Sequence, residues 1–156
     1  MKYKNLIRFV VLPLLLIIAA TAWYIYKEYN RTHKDTASLK SDYSFQAGVF
    51  IKEFEDNEQA ANKKYWDKVV EVYGTAKEIN HDEKGIYTIA LGDTVSMSSV
   101  RCSIDSIHSH EASVVIKGNN VTVKGICAGF NADALLGSDV VLVRCIVDSK
   151  KTISNN

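Results

Sequence analysis

The sequence lacks the residue spacings that mark common catalytic and metal-binding motifs. It contains no nucleophile elbow, no phosphate-binding loop and no HExxH zinc motif. Its three cysteines, at positions 102, 127 and 145, are too far apart to form a CxxC pair or a metal knuckle. We therefore expect neither an enzyme nor a zinc protein, and we expect no cofactor.

The main part of the chain also lacks an excess of positive charge. Residues 1–35 hold six Lys/Arg and two Asp/Glu, whereas residues 36–156 hold 13 Lys/Arg and 16 Asp/Glu. Domains that bind nucleic acid usually carry a basic patch, because release of counterions from the phosphates supplies much of their affinity. The charge after residue 35 therefore disfavours nucleic acid as the partner.

One long apolar run lies near the N-terminus. Residues 6–26 contain a single charge, Arg8, and a helix of that length matches the roughly 30 Å hydrocarbon layer of a membrane. Lys2, Lys4 and Arg8 place the tip, residues 1–5, in the cytoplasm by the positive-inside rule. We expect a single-pass membrane anchor, with the following domain outside the cytoplasm.

A cleaved signal peptide is the alternative interpretation of the same run. Ala20 and Ala22 form an A-x-A site after a basic start and an apolar stretch. The run continues past this site into Trp23, Tyr24 and Tyr26, which favours an anchor with interfacial aromatic residues. Both interpretations export the domain, and no cysteine directly follows the run to carry a lipid.

The rest of the chain divides by its periodicity. Residues 27–44 are polar and predict a linker, residues 45–148 predict one domain, and residues 149–156 predict a disordered tail. The domain begins with an amphipathic helix, because apolar positions recur at intervals of three or four. The residues of this stripe are Ala47, Phe50, Phe54, Asn57, Ala61 and Tyr65.

Five stretches after the helix predict short strands. The first, Lys68–Ile79, alternates in polarity, and Val70, Val72, Gly74 and Ala76 share the inward face. Small residues at positions 74 and 76 allow this strand to bend and to pair with neighbours on both edges. The other predicted strands are Ile86–Leu91, Val100–Ile104, Val121–Cys127 and Asp139–Val147, the last with Val141, Val143, Cys145 and Val147 inward.

Three segments carry a family resemblance. NEQAANKKYWDKVVEVYGTAKEI (57–79), VTVKGICAGF (121–130) and VLVRCIV (141–147) resemble the tRNA-anti-like family of OB-fold domains, found in small exported or membrane-attached bacterial proteins. The resemblance covers about residues 45–148 and implies a mainly β fold, a five-stranded barrel preceded by a helix. Asp67 departs from it, because similar sequences tend to have glycine there, which puts the helix-to-strand turn in question.

OB-folds usually bind ligands on the outer face of their second and third strands, and nucleic-acid binders place aromatic rings there. In this chain the outward positions of those strands are predicted to be Ile86, Thr88, Ala90, Arg101 and Ser103. None is aromatic. The weak binding candidates are therefore Thr88, Arg101 and Tyr73, an outward ring on the first strand whose alternative role is packing against the helix.

Two further groups could carry chemistry. His108 and His110 have the spacing of a His-x-His chelate, against the alternative of exposed loop residues. Cys102 and Cys145 lie on strands that are neighbours in an OB barrel, so they are the easier pair for a disulfide in an oxidising compartment. The alternative is that the thiols are buried as small apolar groups.

The sequence thus predicts a membrane-anchored, extracytoplasmic OB-fold domain that acts as a non-catalytic binding module. Its expected ligand is a protein partner or an envelope oligosaccharide. The alternative is an OB-fold that binds nucleic acid.

Overall fold

The computed structural model describes residues 14, 17–26, 35–83, 85–133, 135 and 137–148. The chain divides into two units, residues 1–34 and residues 35–156. In the first unit residues 17–26 are helical. Among the described residues, no helix is both long enough and apolar enough to cross a membrane. Much of the predicted anchor, and all of residues 1–5 and 149–156, lies outside the described part of the chain.

The second unit is mainly β, with two helices near its start. Its elements are β1 (Tyr43–Gln46), α1 (Ala47–Asp56), α2 (Glu58–Tyr65), β2 (Val69–His81), β3 (Tyr87–Leu91), β4 (Ser99–Ile104), α3 (Ser109–Ser113), β5 (Asn120–Asp133) and β6 (Gly137–Val147), with 3-10 turns at Thr36–Ser38 and Ser106–His108. Strand β1 was not expected, because its four residues lie where the sequence predicts the end of a linker and the start of a helix.

The strands curl into a partial ring. They follow the order β1-β2-β3-β4-β6-β5, and β5 also pairs with β2, which joins the two sides of the sheet. Neighbours β2 to β6 are antiparallel except for β4 and β6, which are parallel. This is the arrangement of the five-stranded, partly open OB barrel, with β1 added in parallel to β2. The predicted OB-fold is confirmed.

Strand β2 pairs with three other strands of the sheet. Its first half pairs with β1 on one edge and β5 on the other, and its second half pairs with β3. Val70, Val72 and Ala76 are fully buried, as the alternation predicts. At the change of partner stands Gly74, where a Cβ atom would lie 3.0 Å from the Cβ of Ala47. The small residue is required because α1 begins directly above it.

The predicted helix is two helices. Asn57 has a φ of −159° and its side chain accepts a hydrogen bond from the Ala60 N–H at 3.0 Å, so it ends α1 and caps α2. It is exposed rather than part of the apolar stripe. The remaining stripe residues are buried: Ala47, Phe50, Phe54, Ala61 and Tyr65.

The turn from α2 into β2 retains the conformation that glycine favours. Asp67 has a φ of 59°, in the left-handed region. Its N–H donates to the Cys127 carbonyl at 2.9 Å, and the next N–H, of Lys68, donates to the Tyr65 carbonyl at 3.0 Å. Aspartate tolerates this region better than most residues, which explains how it can stand in for glycine.

The last two strands differ most from the prediction. The expected loop at residues 128–138 is largely absent, because β5 continues to Asp133 and β6 begins at Gly137. In β6 the expected inward residues Val141 and Val143 are only partly buried, whereas Val140 and Leu142 are fully buried. Arg144, with a φ of 50°, coincides with register shifts on both neighbouring strands. This bulge reverses the alternation, so that Cys145 and Val147 face inward as expected.

The packing beneath this bulge gives a stability prediction. A Cβ atom at Gly125 would overlap the sulfur of Cys145 and approach the Leu142 Cβ to 3.2 Å. Gly125→Ala should therefore lower the free energy of unfolding by roughly 1–3 kcal/mol, the usual cost of overpacking. The measurement is urea unfolding followed by circular dichroism.

Gly48→Ala is the matched control, because nothing lies within 4 Å of its added methyl group. Gly48 stands in α1, so this substitution should change stability by less than about 1 kcal/mol, in the stabilising direction. Equal losses for both variants would contradict the packing around Gly125.

Candidate functional site

A groove lies beside the middle of strand β2, at Tyr73–Thr75. Its larger part is a cavity of about 680 Å³, and a second concavity of about 350 Å³ shares Gly48 and Asp93 with it. We call the first the Tyr73 cavity and the two together the α1 groove. The Tyr73 cavity is lined by Gln46, Ala47, Gly48, Tyr73, Gly74, Thr75, Gly92, Asp93, Thr94, Asn120, Val121 and Thr122.

The cavity exists because β2 changes partner at this point. Strand β1 pairs with β2 as far as Tyr73, and β3 pairs from Ala76 onward. Between these positions, on the edge of β2 away from β5, the Gly92 N–H donates to the Thr75 carbonyl at 3.1 Å. At one end of this stretch the chain passes from β1 into α1, and at the other end it passes from β3 into the β3–β4 loop. These two segments form the walls of the cavity.

The floor of the cavity is the outward face of β2 and β5. Tyr73 lies opposite Thr122, and Thr75 opposite Asn120, so the four side chains share one face. The Thr75 hydroxyl donates to the Asn120 side-chain oxygen at 3.1 Å, and Tyr73 keeps 44% of its surface exposed. The sequence singled out Tyr73 but not Thr75 or Asn120, because the register of β2 against β5 is not visible in the sequence.

The N-terminal segment covers the other end of the same face. There Glu71 lies opposite Lys124. The Ser44 hydroxyl donates to Glu71 at 3.2 Å, and the Lys124 ammonium donates to the carbonyls of Ala37 and Leu39 at 3.1 and 2.8 Å. Residues 37–46 therefore leave only the Tyr73 end of the face open.

Hydrogen bonds fix the β3–β4 loop, residues 92–98, at the rim of the groove. The Lys77 ammonium donates to the carbonyls of Ser96 and Ser98, at 2.5 and 2.9 Å. The Ser98 hydroxyl donates to Glu55 on α1 at 2.9 Å, and one carboxylate oxygen of Asp93 accepts the Val95 N–H at 3.0 Å. This wall is therefore held in place without a ligand.

The groove is acidic. The described residues that line the Tyr73 cavity include Asp93 and no Lys, Arg or His. The second concavity adds Lys52, Glu55 and Asp56. The lining residues carry three carboxylates against one ammonium group, and the Lys77 ammonium at the rim adds a second positive charge, so the groove has a small excess of negative charge.

Thr88 and Arg101 lie away from the groove, on β3 and β4. Thr88 is half-buried opposite Ser103, and the Arg101 guanidinium is paired with the Asp139 carboxylate at 2.5 Å. The other oxygen of Asp139 accepts the Ser99 hydroxyl at 2.5 Å. Ala90, expected to face outward, is buried. The three binding candidates therefore do not form one site, and the charge of Arg101 is already countered.

Comparison with known proteins places this geometry in a family. The model of the family described as tRNA_anti-like matches residues 1–150. The chain belongs to the tRNA-anti-like family. The resemblance read from residues 45–148 is confirmed. No functionally curated protein is significantly similar to the chain in sequence.

Solved structures are similar to this tRNA-anti-like domain to different degrees. A candidate nucleic acid-binding lipoprotein from Klebsiella pneumoniae aligns with a TM-score of 0.50 at 19% identity, over 75% of this chain and 98% of that one. This likeness shows the fold alone. A candidate aspartyl-tRNA synthetase from Leishmania major aligns with a TM-score of 0.45 at 10% identity, over 82% of this chain and 26% of that one. Asparaginyl-tRNA synthetase from Pyrococcus horikoshii, complexed with asparaginyl-adenylate, gives 0.38 at 18% identity, over 55% and 20%.

The two histidines of the predicted His-x-His chelate, His108 and His110, do not act together in this tRNA-anti-like domain. The ring of His108 lies between two carboxylates, with Nε2 2.9 Å from Asp35 and Nδ1 3.4 Å from Glu111, whereas His110 is exposed. Asp105 caps the preceding 3-10 turn through the Ile107 N–H. Within the part of the chain that the structure describes, no group of three His, Cys, Asp or Glu side chains is arranged to hold a metal ion.

His108 instead links the start of the domain to helix α3. Burial of the ring opposes its protonation, but the hydrogen bonds to Asp35 and Glu111 outweigh this effect and raise the pKa of His108 above its ordinary value of 6.5. The pKa of Asp35 is lowered by the Ala37 N–H and by His108. Nearby charges are Lys124, which acts on Asp35, and His110, which acts on Glu111.

The cysteines are free thiols buried inside the barrel. Burial, followed by a hydrogen bond with Cys102, raises the pKa of Cys145 well above its ordinary range, and burial also raises the pKa of Cys127. Cys102 and Cys145 thus contact each other, and a disulfide between them in exported protein stays a prediction. A mass measured without reductant that shows three free thiols would exclude it.

The first prediction from this geometry concerns pH. The folded pKa of His108 lies above the unfolded one, so its stabilising contribution is complete below the unfolded value and disappears as pH rises through the folded value. His108→Gln should therefore cost stability near pH 5.5 and cost much less near pH 9, as measured by urea unfolding at both values. His110→Gln is the control, because His110 is exposed, and should leave the pH profile nearly unchanged. A loss for His108→Gln that is the same at both pH values would contradict the charged link.

The second prediction concerns thiol reactivity. The thiolate is the reactive form, and burial disfavours it at Cys127 and Cys145. Iodoacetamide at neutral pH should therefore label the native, reduced protein far more slowly than the protein unfolded in urea, as followed by mass spectrometry. Equal labelling rates in the two states would show that the barrel does not protect these sulfurs.

Proposed function

We propose that the chain is a non-catalytic binding module, attached to the bacterial inner membrane by residues 6–26, with its OB-fold domain outside the cytoplasm. The ligand class is a protein partner or an envelope oligosaccharide. The α1 groove is the observation that carries this proposal: it is a preformed, acidic concavity with an exposed ring and several hydrogen-bonding side chains.

The N-terminal unit supports the attachment. Its described helical residues expose large apolar side chains, among them Ile17, Ile18 and Ile25, and the aromatic residues Trp23 and Tyr24. Apolar helix surface of this kind is stable in lipid, and Trp and Tyr favour the membrane interface. The basic residues near the N-terminus set the orientation by the positive-inside rule.

The composition of the groove supports binding without catalysis. The described residues that line the Tyr73 cavity offer one carboxylate, Asp93, and contain no histidine or cysteine. General acid–base catalysis needs a positioned group with a suitable pKa, and nucleophilic catalysis needs a nucleophile with an adjacent base. The lining hydroxyl and amide groups suit hydrogen bonding to a ligand instead.

Nucleic acid is the second candidate. The tRNA-anti-like name, the OB-fold and the lipoprotein from Klebsiella pneumoniae, described as a candidate nucleic acid binder, favour it. The charges disfavour it, because the groove is acidic and Arg101 on the β3–β4 face is paired with Asp139. OB-folds that bind single strands combine a basic groove with aromatic stacking rings.

The test of location is protease accessibility of the full-length, C-terminally tagged protein in intact bacterial spheroplasts. The domain should be digested from outside, while a cytoplasmic marker protein stays intact until lysis. The mass of the protected fragment should show that its chain ends beyond residue 26, because the anchor is retained in the membrane. Protection of the domain until lysis would contradict the proposal, and a mature protein starting after Ala22 would contradict the anchor alone.

The test of ligand class is the fluorescence anisotropy of a labelled single-stranded oligonucleotide titrated with the full-length protein at low and physiological salt. Electrostatic binding of the oligonucleotide would weaken as salt rises. We expect no such binding, because the groove carries net negative charge. Affinity that falls steeply as salt rises would favour the nucleic-acid alternative.

A further inference from the structure

We propose that the α1 groove binds a neutral oligosaccharide, with the Tyr73 ring stacked on one sugar and the side chains of Thr75, Asn120 and Asp93 bonded to its hydroxyl groups. This inference rests on the proposed function, since it names the ligand of the same binding module. It goes further by assigning the residues and by choosing sugar over protein.

The dimensions of the groove suit several sugar rings. The Tyr73 cavity, at about 680 Å³, lies within the range of roughly 300–1,000 Å³ typical of small-ligand sites. The second concavity shares Gly48 and Asp93 with it and extends along α1 past Ile51 and Glu55. A chain of sugars can therefore continue from one part into the other, whereas a single sugar would leave the second part empty.

The position of Tyr73 suits stacking. It is a large ring, 44% exposed, that lies on the floor of the Tyr73 cavity and stands next to Gly74 on the strand. The apolar face of a sugar can pack on such a ring while its hydroxyl groups point to the sides. The aromatic residues that hold α1 are already in contact with one another, as Phe50 with Phe45, Phe54 and Tyr65, but Tyr73 takes no part in that cluster.

The side chains around the ring offer both donors and acceptors. The Thr75 hydroxyl donates to the oxygen of the Asn120 amide, which assigns the NH₂ group of Asn120 as a donor for a ligand oxygen. Asp93 uses one oxygen for the Val95 N–H, and its carboxylate can accept from a ligand hydroxyl through the other. Sugar hydroxyl groups donate and accept at once, so they match this mixed set.

The same surface fits a peptide less well. Peptide grooves gain affinity from apolar or aromatic anchors that enter desolvated pockets. In the α1 groove the large apolar side chains of Ile51 and Val121 are buried, at 6% and 2% exposed, so they offer little surface to an anchor. The small excess of negative charge disfavours phosphate-rich ligands, and the hydroxyl and amide groups of the floor match a neutral, hydroxyl-rich chain.

The experiment is isothermal titration of the full-length protein in lipid nanodiscs, which avoids sugar-based detergents. The probes are chitotetraose and maltotetraose, two neutral tetrasaccharides that differ in linkage and in N-acetylation, and tetralysine. We expect at least one tetrasaccharide to bind. Tyr73→Ala should weaken that binding about tenfold or more, whereas Tyr73→Phe, which keeps the ring, should stay within about threefold.

A second pair of variants separates hydrogen bonding from folding. Thr75→Val should weaken binding several-fold, whereas Thr88→Val, a matched substitution on β3 outside the groove, should not. Thermal unfolding of each variant shows whether it is folded, and only folded variants are compared.

Several results would overturn the inference. One is no binding of either tetrasaccharide, and another is tetrasaccharide binding that Tyr73→Ala leaves unchanged. A third is binding of tetralysine alone, lost in Asp93→Asn, which would favour a basic protein partner. In all three cases the proposed function stands if the domain is extracytoplasmic and ignores the oligonucleotide. Salt-dependent oligonucleotide binding would instead overturn the proposed function itself.

Discussion

The whole arrangement depends on the close contact between Gly74 and Ala47. Just beyond this point β2 exchanges β1 for β3 along one edge, and its pairing with β5 along the other edge ends at Thr75. A side chain at position 74 would meet the Ala47 Cβ at 3.0 Å and push the start of α1 away from the sheet. Since α1 forms one wall of the groove and the Gly74 region of β2 lines its floor, the same contact affects both the fold and the site.

Helix α1 is held in that position by aromatic packing. Phe50 stacks on Phe45 of β1 at 5.1 Å between ring centroids, and Phe54 stacks on Phe130 of β5 at 5.3 Å. Tyr65 packs edge-on against Phe50, and its hydroxyl donates to Glu53, which ties α2 to α1. The rings therefore connect both helices to opposite parts of the ring of strands. Such contacts add to the burial of the rings themselves, so α1 provides a rigid wall rather than a mobile flap.

The sequence predicts the parts of the fold that follow a simple period. The alternation of Val70, Val72 and Ala76 and the stripe from Ala47 to Tyr65 both come out buried, apart from Asn57. The errors come from local breaks in a period. Arg144 adopts a left-handed conformation that no sequence pattern predicts. Because of this bulge, Leu142 is buried where the alternation counted back from Cys145 predicts Val141. Asn57 fits the helical spacing, but its side chain favours a cap over a helix interior.

The site is less visible in the sequence, because it is assembled from four separate segments. Tyr73 could be singled out as an outward ring on one strand, but its neighbour Asn120 is 45 residues from Thr75 and lies beside it only through strand register. Asp93 follows a strand end and looks like an ordinary turn residue until the β3–β4 loop folds back over α1. Sequence patterns indicate which face of a strand or helix a residue occupies, whereas a groove depends on which strands, helices and loops lie side by side.

The OB-fold leaves the choice of ligand to charge and to exposed rings. In this chain the usual β3–β4 face contains one exposed cation, Arg101, and a carboxylate on β6, Asp139, neutralises it. The neighbouring Ser99 hydroxyl also bonds to Asp139, so this carboxylate holds two side chains, while the Arg101 side chain stays 45% exposed. The exposed ring lies instead on β2, beside carboxylates. The OB-fold arrangement is thus combined in this domain with an acidic groove, an exposed ring beside it and a paired arginine on the β3–β4 face.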